Sequence, residues 1–354
     1  MIPIKRIGPE MQAKRILSVV DSHTEGEPAR VVVGGAPPIP GSTFLEKWQW
    51  AKKNLEDLRR LLMFEPRGGS HYSGSILTAP STPGADFGVI FIEVSGFLPM
   101  CGHGTIATAT VLVETGMVAA RAPYTDLVLD TPAGLVKTRV HVENGRVIDV
   151  TIQNVPAFVI VQDLIVHVAD MGAVPVDIAY GGNFYAMVQA EPLGLDLAPS
   201  CYRQIIDAGT RIRDAINDQV EVVHPENDAI RGCSHVRFLA RPRHPAAHGR
   251  NTVLYSSEGI DRSPCGTGTS AEMAVRYARG MQRLGEEFVS ESIIGSIFYG
   301  TLIEETRVGP YPAVTPTIRG SAYLTGFNQI LLDPRDPWPE GFLLGAHSRW
   351  GVEF

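Results

Sequence analysis

Apolar residues along this chain cluster in short, β-branched runs at positions 15–20, 29–33, 87–93, 126–129, 147–152 and 236–239. Gly, Pro, Asn and Asp separate the runs, a pattern that predicts strands joined by turns. Helical spacing is rarer. Trp48 to Leu62 is amphipathic and rich in good helix formers, and Ala198 to Asn217 offers Ile205, Ile206, Ile212 and Ile216 for a buried face. Strands dominate and helices are inserted singly, which predicts an α/β or α+β chain.

One pattern occurs twice. CGHGTIATATVLVETG runs from Cys101 to Gly116, and CGTGTSAEMAVRYARG runs from Cys265 to Gly280. Each copy opens C-G-x-G-T, continues with helical spacing (Ile106, Ala109 and Val113; Ala271, Ala274, Val275 and Ala278) and stops at a Gly where a helix C′ residue is expected. The copies lie nearly half the chain apart. The chain therefore reads as two similar halves, each presenting a Cys at the start of a helix.

Composition narrows the function. The 354 residues carry 31 Lys and Arg against 38 Asp and Glu, a net charge of −7, and no basic block, so no nucleic-acid footprint is expected. With 44% hydrophobic and 19% charged residues the chain is globular, and its length suits two domains. No apolar run reaches membrane-spanning length and the N-terminus has no secretory h-region, so a cytoplasmic protein without a membrane partner is expected. The four Cys show no CxxC spacing, which argues against a disulfide framework and a zinc site.

A helix N-terminus lowers the pKa of a thiol from about 8.5. The glycines after each Cys let backbone N–H groups approach a carboxylate. If the halves face each other, two thiols flank one small anionic substrate. A thiolate on one face can remove a Cα proton while a thiol on the other returns one, inverting the centre. Backbone dipoles would stabilise the developing charge, so no cofactor and no metal are called for. Cys201 and Cys233 lack the Gly-rich context and read as small buried hydrophobes.

These motifs resemble the proline racemase family, which includes the 4-hydroxyproline epimerases. The stretches that carry the resemblance are DSHTEGEPARVVVGG (21–35), LMFEPRG (62–68), SGSIL (73–77), LPMCGHGTI (98–106), YGGNFYA (180–186), DRSPCGTGTSA (261–271) and TGFN (325–328). The resemblance implies a diaminopimelate epimerase-like α+β fold, each half a curled β-sheet around a central helix, with the site in the cleft between them. The expected division is 1–172, 173–330, and a terminal segment 331–354 returning to the first half. The resemblance further implies a homodimer and two-base catalysis without cofactor. Cys101 and Cys265 would be the acid and base. Gly102, His103, Gly266 and Thr267 would bind the imino acid substrate, with Asp261 on its ring nitrogen. His235, in GCSHVRF, matches a substrate-contacting His of the hydroxyproline epimerases.

The favoured activity is therefore epimerisation of trans-4-hydroxy-L-proline to cis-4-hydroxy-D-proline. Proline racemase is the first alternative. A trans-3-hydroxy-L-proline dehydratase is disfavoured, because that family carries Thr where this chain has Cys265. An imino-acid-binding protein is the alternative that is not an enzyme. Tyr72 and Glu25 leave the ring substituent open. Other groups read as structural: His23 and Glu27 as a turn cluster or a cleft contact, His224 to Glu226 as a surface turn, and Glu65 with Arg67 as an ion pair. His244 and His248 sit among Pro and Gly and read as a loop. Phe184 and Tyr185 would wall the pocket or fill the core.

Overall fold

The structure, a computed structural model, describes residues 15–256 and 259–344. The first stretch of chain forms β1 (Arg15–Thr24), β2 (Glu27–Gly34), α1 (Phe44–Asn54), α2 (Glu56–Met63), β3 (Ser73–Thr78), β4 (Phe87–Glu93) and β5 (Gly96–Leu98). Then come α3 (Gly102–Glu114), β6 (Tyr124–Thr131), β7 (Gly134–Glu143), β8 (Arg146–Gln153), β9 (Ala157–Val168), β10 (Gly172–Tyr180) and β11 (Phe184–Gln189). The remainder is α4 (Tyr202–Gln219), β12 (Val223–His224), β13 (Asn227–Arg231), β14 (His235–Ala240), β15 (Gly249–Leu254), α5 (Gly266–Ala278), β16 (Glu287–Glu291), β17 (Ile297–Val308), β18 (Tyr311–Gly320) and β19 (Ala322–Leu332).

All these strands except the β12–β13 pair join one continuous sheet. From β1 the pairing runs antiparallel to β2, parallel to β3, antiparallel to β4, parallel to β6, then antiparallel through β7 and β8. From β10 the same order recurs through β11, β14, β15, β16, β17 and β18. β9 pairs with both β10 and β18, which closes the second run into a circuit. α3 packs against β1, β2, β3, β7, β8 and β19, and α5 against β9, β10, β11, β17 and β18.

These two helices are buried all round rather than on one face. Gly102 to Val113 and Gly266 to Val275 are all shielded from solvent. Helices in that position must be thin, and both are built from Gly, Ala, Ser, Thr and a few aliphatics. Their hydroxyls are satisfied internally: Thr105, Thr110 and Ser270 donate to the carbonyls of Cys101, Ile106 and Gly266. Each helix ends where the sequence places a Gly, with positive φ at Gly116 and Gly280.

Three expectations change. The helix expected over 48–62 is two helices, starting at a Thr43–Glu46 capping box and breaking at the buried Leu55 so that Trp48, Ala51, Leu58 and Leu61 all reach the core. The expected division at 172/173 falls just inside β10, past the β9–β10 turn, and both strands pack on α5; β19 pairs with β1 instead of the second circuit. Each helix is thus closed in partly by strand from the other side of the chain, an exchange that linear sequence signals do not carry. Arg67 pairs with Asp336 at 2.7 Å rather than with Glu65, whose backbone pairs with Phe342. Beyond β19, the described part of the terminal segment therefore lies against α2 and the residues that follow it, where Glu340 also meets Arg60; residues 345–354 lie outside the described residues.

Candidate active site

The N-termini of α3 and α5 meet. A β-carbon on Gly102 would lie 2.7 Å from the Gly266 Cα, and one on Gly266 would lie 2.9 Å from the Gly102 Cα. The first Gly of each C-G-x-G-T motif is required by this contact. The second is required by sulfur: a β-carbon on Gly104 would lie 3.0 Å from Cys101 Sγ, and one on Gly268 would lie 2.9 Å from Cys265 Sγ. Thr105 and Thr269 close the first helical turns, their N–H groups donating to the Cys101 and Cys265 carbonyls. The N–H groups of Gly102, His103, Gly266 and Thr267 precede those first bonds and have no acceptor within their helix.

The two motifs differ locally. Cys101 caps α3 in an extended conformation, and its sulfur accepts from Gly104 N at 3.3 Å. Cys265 has φ +63°, a left-handed conformation that costs a non-glycine residue about 1–3 kcal/mol. Both thiols are buried. Burial pushes Cys101 well above its ordinary range; Gly104 opposes this, while Glu93, Asp261 and Cys265 add to it. Burial and Asp261 push Cys265 up to about 12, against Arg237, Tyr185 and Gly268. Asp261 thus raises both sulfurs, and Cys265 raises Cys101, so the three groups are electrostatic neighbours.

Around Cys101, the His103 ring stands with Nδ1 3.5 Å from Sγ and Nε2 2.6 Å from Ser73 Oγ. Around Cys265, the Tyr185 hydroxyl stands 3.4 Å from Sγ and 2.6 Å from Thr267 Oγ1. Asn183 spans the two sides, donating through Nδ2 to the Met100 carbonyl at 2.7 Å and reaching Thr267 Oγ1 at 3.5 Å. Asp261 accepts from Ser263 N at 2.7 Å, and Ser263 Oγ accepts from Cys265 N. His235 lies with its ring 4.8 Å from that of Tyr185 and its Nδ1 2.6 Å from Ser234 Oγ. Burial pulls its pKa down to about 3, with Arg213 adding to the fall, so the ring is neutral.

The sequence-selected residues thus converge, and the structure adds four that sequence reasoning did not select. Glu93 follows the apolar run of β4, which gave no sign that its end enters the site; burial raises it to about 8. Ser73, Asn183 and Arg237 stand inside stretches quoted above, but nothing local marks their roles. Tyr185 points to the sulfur and Phe184 to the core, an alternation along β11 that strand periodicity predicts once the strand is known. Glu27 is more than part of a turn: it accepts from Arg262 N at 2.7 Å and from Tyr255 Oη at 3.3 Å, joining the β1–β2 hairpin to the Asp261 loop. His23 serves the turn, accepting from Gly26 N. His244 and His248 lie outside helices, their Nδ1 atoms accepting from Ala246 N and Val289 N. Cys233 is buried, and burial raises it to about 12. No helix among the described residues is long and apolar enough to cross a membrane.

Comparison with known proteins agrees with the motifs. The proline racemase family matches residues 19–343. A protein of Streptosporangium roseum named 4-hydroxyproline 2-epimerase is 54% identical over 94% of this chain and 100% of its own length. A Clostridioides difficile protein named proline racemase is 43% identical over 94% of this chain and 100% of its own. A crystal structure of a hydroxyproline epimerase from Agrobacterium vitis, with bound trans-4-hydroxy-L-proline, superposes with a TM-score of 0.89 at 37% identity, covering 94% of this chain and 96% of that one. On the match along its length and the level of identity, this chain belongs to the proline racemase family.

Proposed function

We propose that the chain is an isomerase, a 4-hydroxyproline 2-epimerase that inverts Cα by proton transfer between Cys101 and Cys265. The observation that carries the reading is the abutment of the two Cys-bearing helix starts at Gly102 and Gly266. The substrate carboxylate sits against the helix-start amides of Gly102, His103, Gly266 and Thr267. Asp261 takes the charge of the ring nitrogen. One sulfur removes the Cα proton, the electron pair spreads onto the carboxylate under the amide dipoles, and the other sulfur protonates the opposite face. Burial of both sulfurs keeps water from the carbanion. His235, neutral and beside Tyr185, is the group we assign to the ring hydroxyl. The Streptosporangium and Agrobacterium relatives favour the 4-hydroxylated ring over proline, and Cys265 disfavours dehydration of 3-hydroxyproline. The same reading includes a diaminopimelate epimerase-like fold, a homodimer and a cytoplasmic location, and it uses no metal or cofactor.

Deuterium wash-in from D₂O, followed by proton NMR on trans-4-hydroxy-L-proline, L-proline and trans-3-hydroxy-L-proline, tests the reading. Exchange at Cα should be fastest with the 4-hydroxylated ring and accompanied by the cis-D product. Faster exchange of proline replaces the assigned substrate. Formation of a trappable ketone from 3-hydroxyproline would indicate a lyase, and binding without exchange would leave a binding protein.

A further inference from the structure

The hydrogen-bond partners of the two sulfurs have directions that follow from chemistry. On the Cys265 side the chain of donors begins at Asn183. Its Nδ2 is fixed as the nitrogen because it faces the Met100 carbonyl, which only accepts. The same Nδ2 faces Thr267 Oγ1 at 3.5 Å, so Thr267 accepts there and directs its own hydrogen elsewhere. The other partner of Thr267 Oγ1 is Tyr185 Oη at 2.6 Å, and giving it the Thr267 hydrogen leaves neither buried hydroxyl unpaired. The single Tyr185 hydroxyl hydrogen is then free to point at Cys265 Sγ, 3.4 Å away. Behind that sulfur the fully buried Arg237 donates to the Pro264 carbonyl at 3.0 Å and pairs with Glu272 at 2.7 Å. A β-carbon on Gly268 would lie within 3.0 Å of both the Arg237 guanidinium and Cys265 Sγ, so the cation and the sulfur are near neighbours.

On the Cys101 side the directions reverse. Ser73 Oγ lies 2.9 Å from the Pro28 carbonyl, which takes its hydrogen. Ser73 must then accept from His103 Nε2 at 2.6 Å, which places the ring proton on Nε2. Burial holds His103 neutral, with Asp261 opposing. Its Nδ1 is therefore a bare lone pair, 3.5 Å from Cys101 Sγ, and calls for an S–H donor. Asp261 raises Cys101 as it raises Cys265, and Glu93, once ionised, and Cys265 raise Cys101 further, with no cation to match Arg237.

We propose that these hydrogen-bond directions assign the working thiolate to Cys265 and the thiol to Cys101. The inference rests on the epimerase reading for its role in turnover. A substrate whose Cα–H faces Cys265 gives its proton to that thiolate, and the Cys101 S–H supplies the proton to the opposite face. The product leaves Cys265 as thiol and Cys101 as thiolate. One proton then passes from Cys265 to Cys101 through solvent to restore the starting form, so no proton is gained or lost. The reverse reaction starts from the minority form. Tyr185 acts on the sulfur directly, and Arg237 is a positioning residue behind it.

The test uses the ligand-free protein and needs no turnover, so it stands apart from the substrate assays. Iodoacetamide labelling at neutral pH, resolved by peptide mass spectrometry, should modify Cys265 about tenfold faster than Cys101, although both sulfurs are equally buried. Tyr185→Phe should slow Cys265 labelling about tenfold and move its pH midpoint upward, because a hydrogen bond to a charged group is lost, while Cys101 labelling stays unchanged. Titrating the ultraviolet absorbance of thiolate in Cys101→Ser and Cys265→Ser should find the lower-pH signal only in Cys101→Ser. If Tyr185→Phe does not fold, the wild-type labelling ratio and this titration decide alone. Equal labelling, faster labelling of Cys101, or a thiolate signal that disappears with Cys101 overturns the assignment.

Discussion

Gly102 and Gly266 touch backbone to backbone across the site, with no space for a β-carbon on either: the nearest Cα would be 2.7 or 2.9 Å away. The listless chemistry of a bare backbone contact makes it a sensitive one. Gly102→Ala or Gly266→Ala must push the two helix starts apart, and a displacement of about 1 Å at such a site costs on the order of a hundredfold in rate. We expect that loss in kcat, with a lowered melting temperature. An alanine variant with unchanged turnover would show that the contact does not set the spacing of the sulfurs.

On the proposed mechanism, Cys101→Ser and Cys265→Ser each remove one of the two proton-transfer groups. A serine hydroxyl is far less acidic than a thiol, so each variant should lose at least about a thousandfold of Cα inversion while keeping its fold by circular dichroism. Pyrrole-2-carboxylate, planar like the carbanion, should bind more tightly than substrate and protect the wild-type sulfurs from alkylation. Labelling that ignores the pyrrole would count against a shared pocket.

Stability should respond to pH through two buried groups of opposite sign. Burial lifts Glu93 from its ordinary 4.5 to about 8, helped by Asp261 and opposed by Ser95 and Arg59. The folded state then holds a proton that the unfolded state has lost. Its contribution is fully present below about 4.5 and is lost as pH rises to about 8, at up to about 1.4 kcal/mol per pH unit. His235, lowered from 6.5 to about 3, works the other way: its contribution is present above 6.5 and is lost as pH falls toward 3. Urea denaturation across pH should lose the alkaline decline in Glu93→Gln and much of the acid decline in His235→Asn. Parallel pH curves for wild type and Glu93→Gln would place that proton elsewhere.

Much of the site could be read from the chain because its backbone requirements are local. C-G-x-G-T needs glycine for the helix contact and glycine for the sulfur, and both needs repeat at Cys101 and Cys265. The strands were legible from β-branched runs, although they extend beyond those runs, since pairing continues through polar positions such as Asp21 to Thr24. Other features depend on chain that is distant in sequence. β9 closes the second circuit and β19 extends the sheet beside β1, so their placement follows from pairing with β18 and β1. Glu93, Arg237 and Asn183 are ordinary polar residues until the fold sets them against a sulfur, a buried carboxylate or a neighbouring carbonyl. The positive φ at Cys265 likewise has no sequence signal, since the matching Cys101 is extended.

His235 offers the sharpest test of ring preference. Its Nδ1 is engaged by Ser234 Oγ at 2.6 Å, which leaves Nε2 as the nitrogen that the proposed contact with the ring hydroxyl would use. A buried site built to bind a hydroxyl loses much more when the bond is removed than an apolar site loses by accepting one. His235→Leu keeps the bulk beside Tyr185 and removes both ring nitrogens. We expect kcat/KM for trans-4-hydroxy-L-proline to fall about a hundredfold, consistent with one buried hydrogen bond and its unpaired partner, while kcat/KM for L-proline changes less than about threefold. Equal losses on both substrates would mean that His235 supports the Tyr185 wall of the pocket instead of reading the ring.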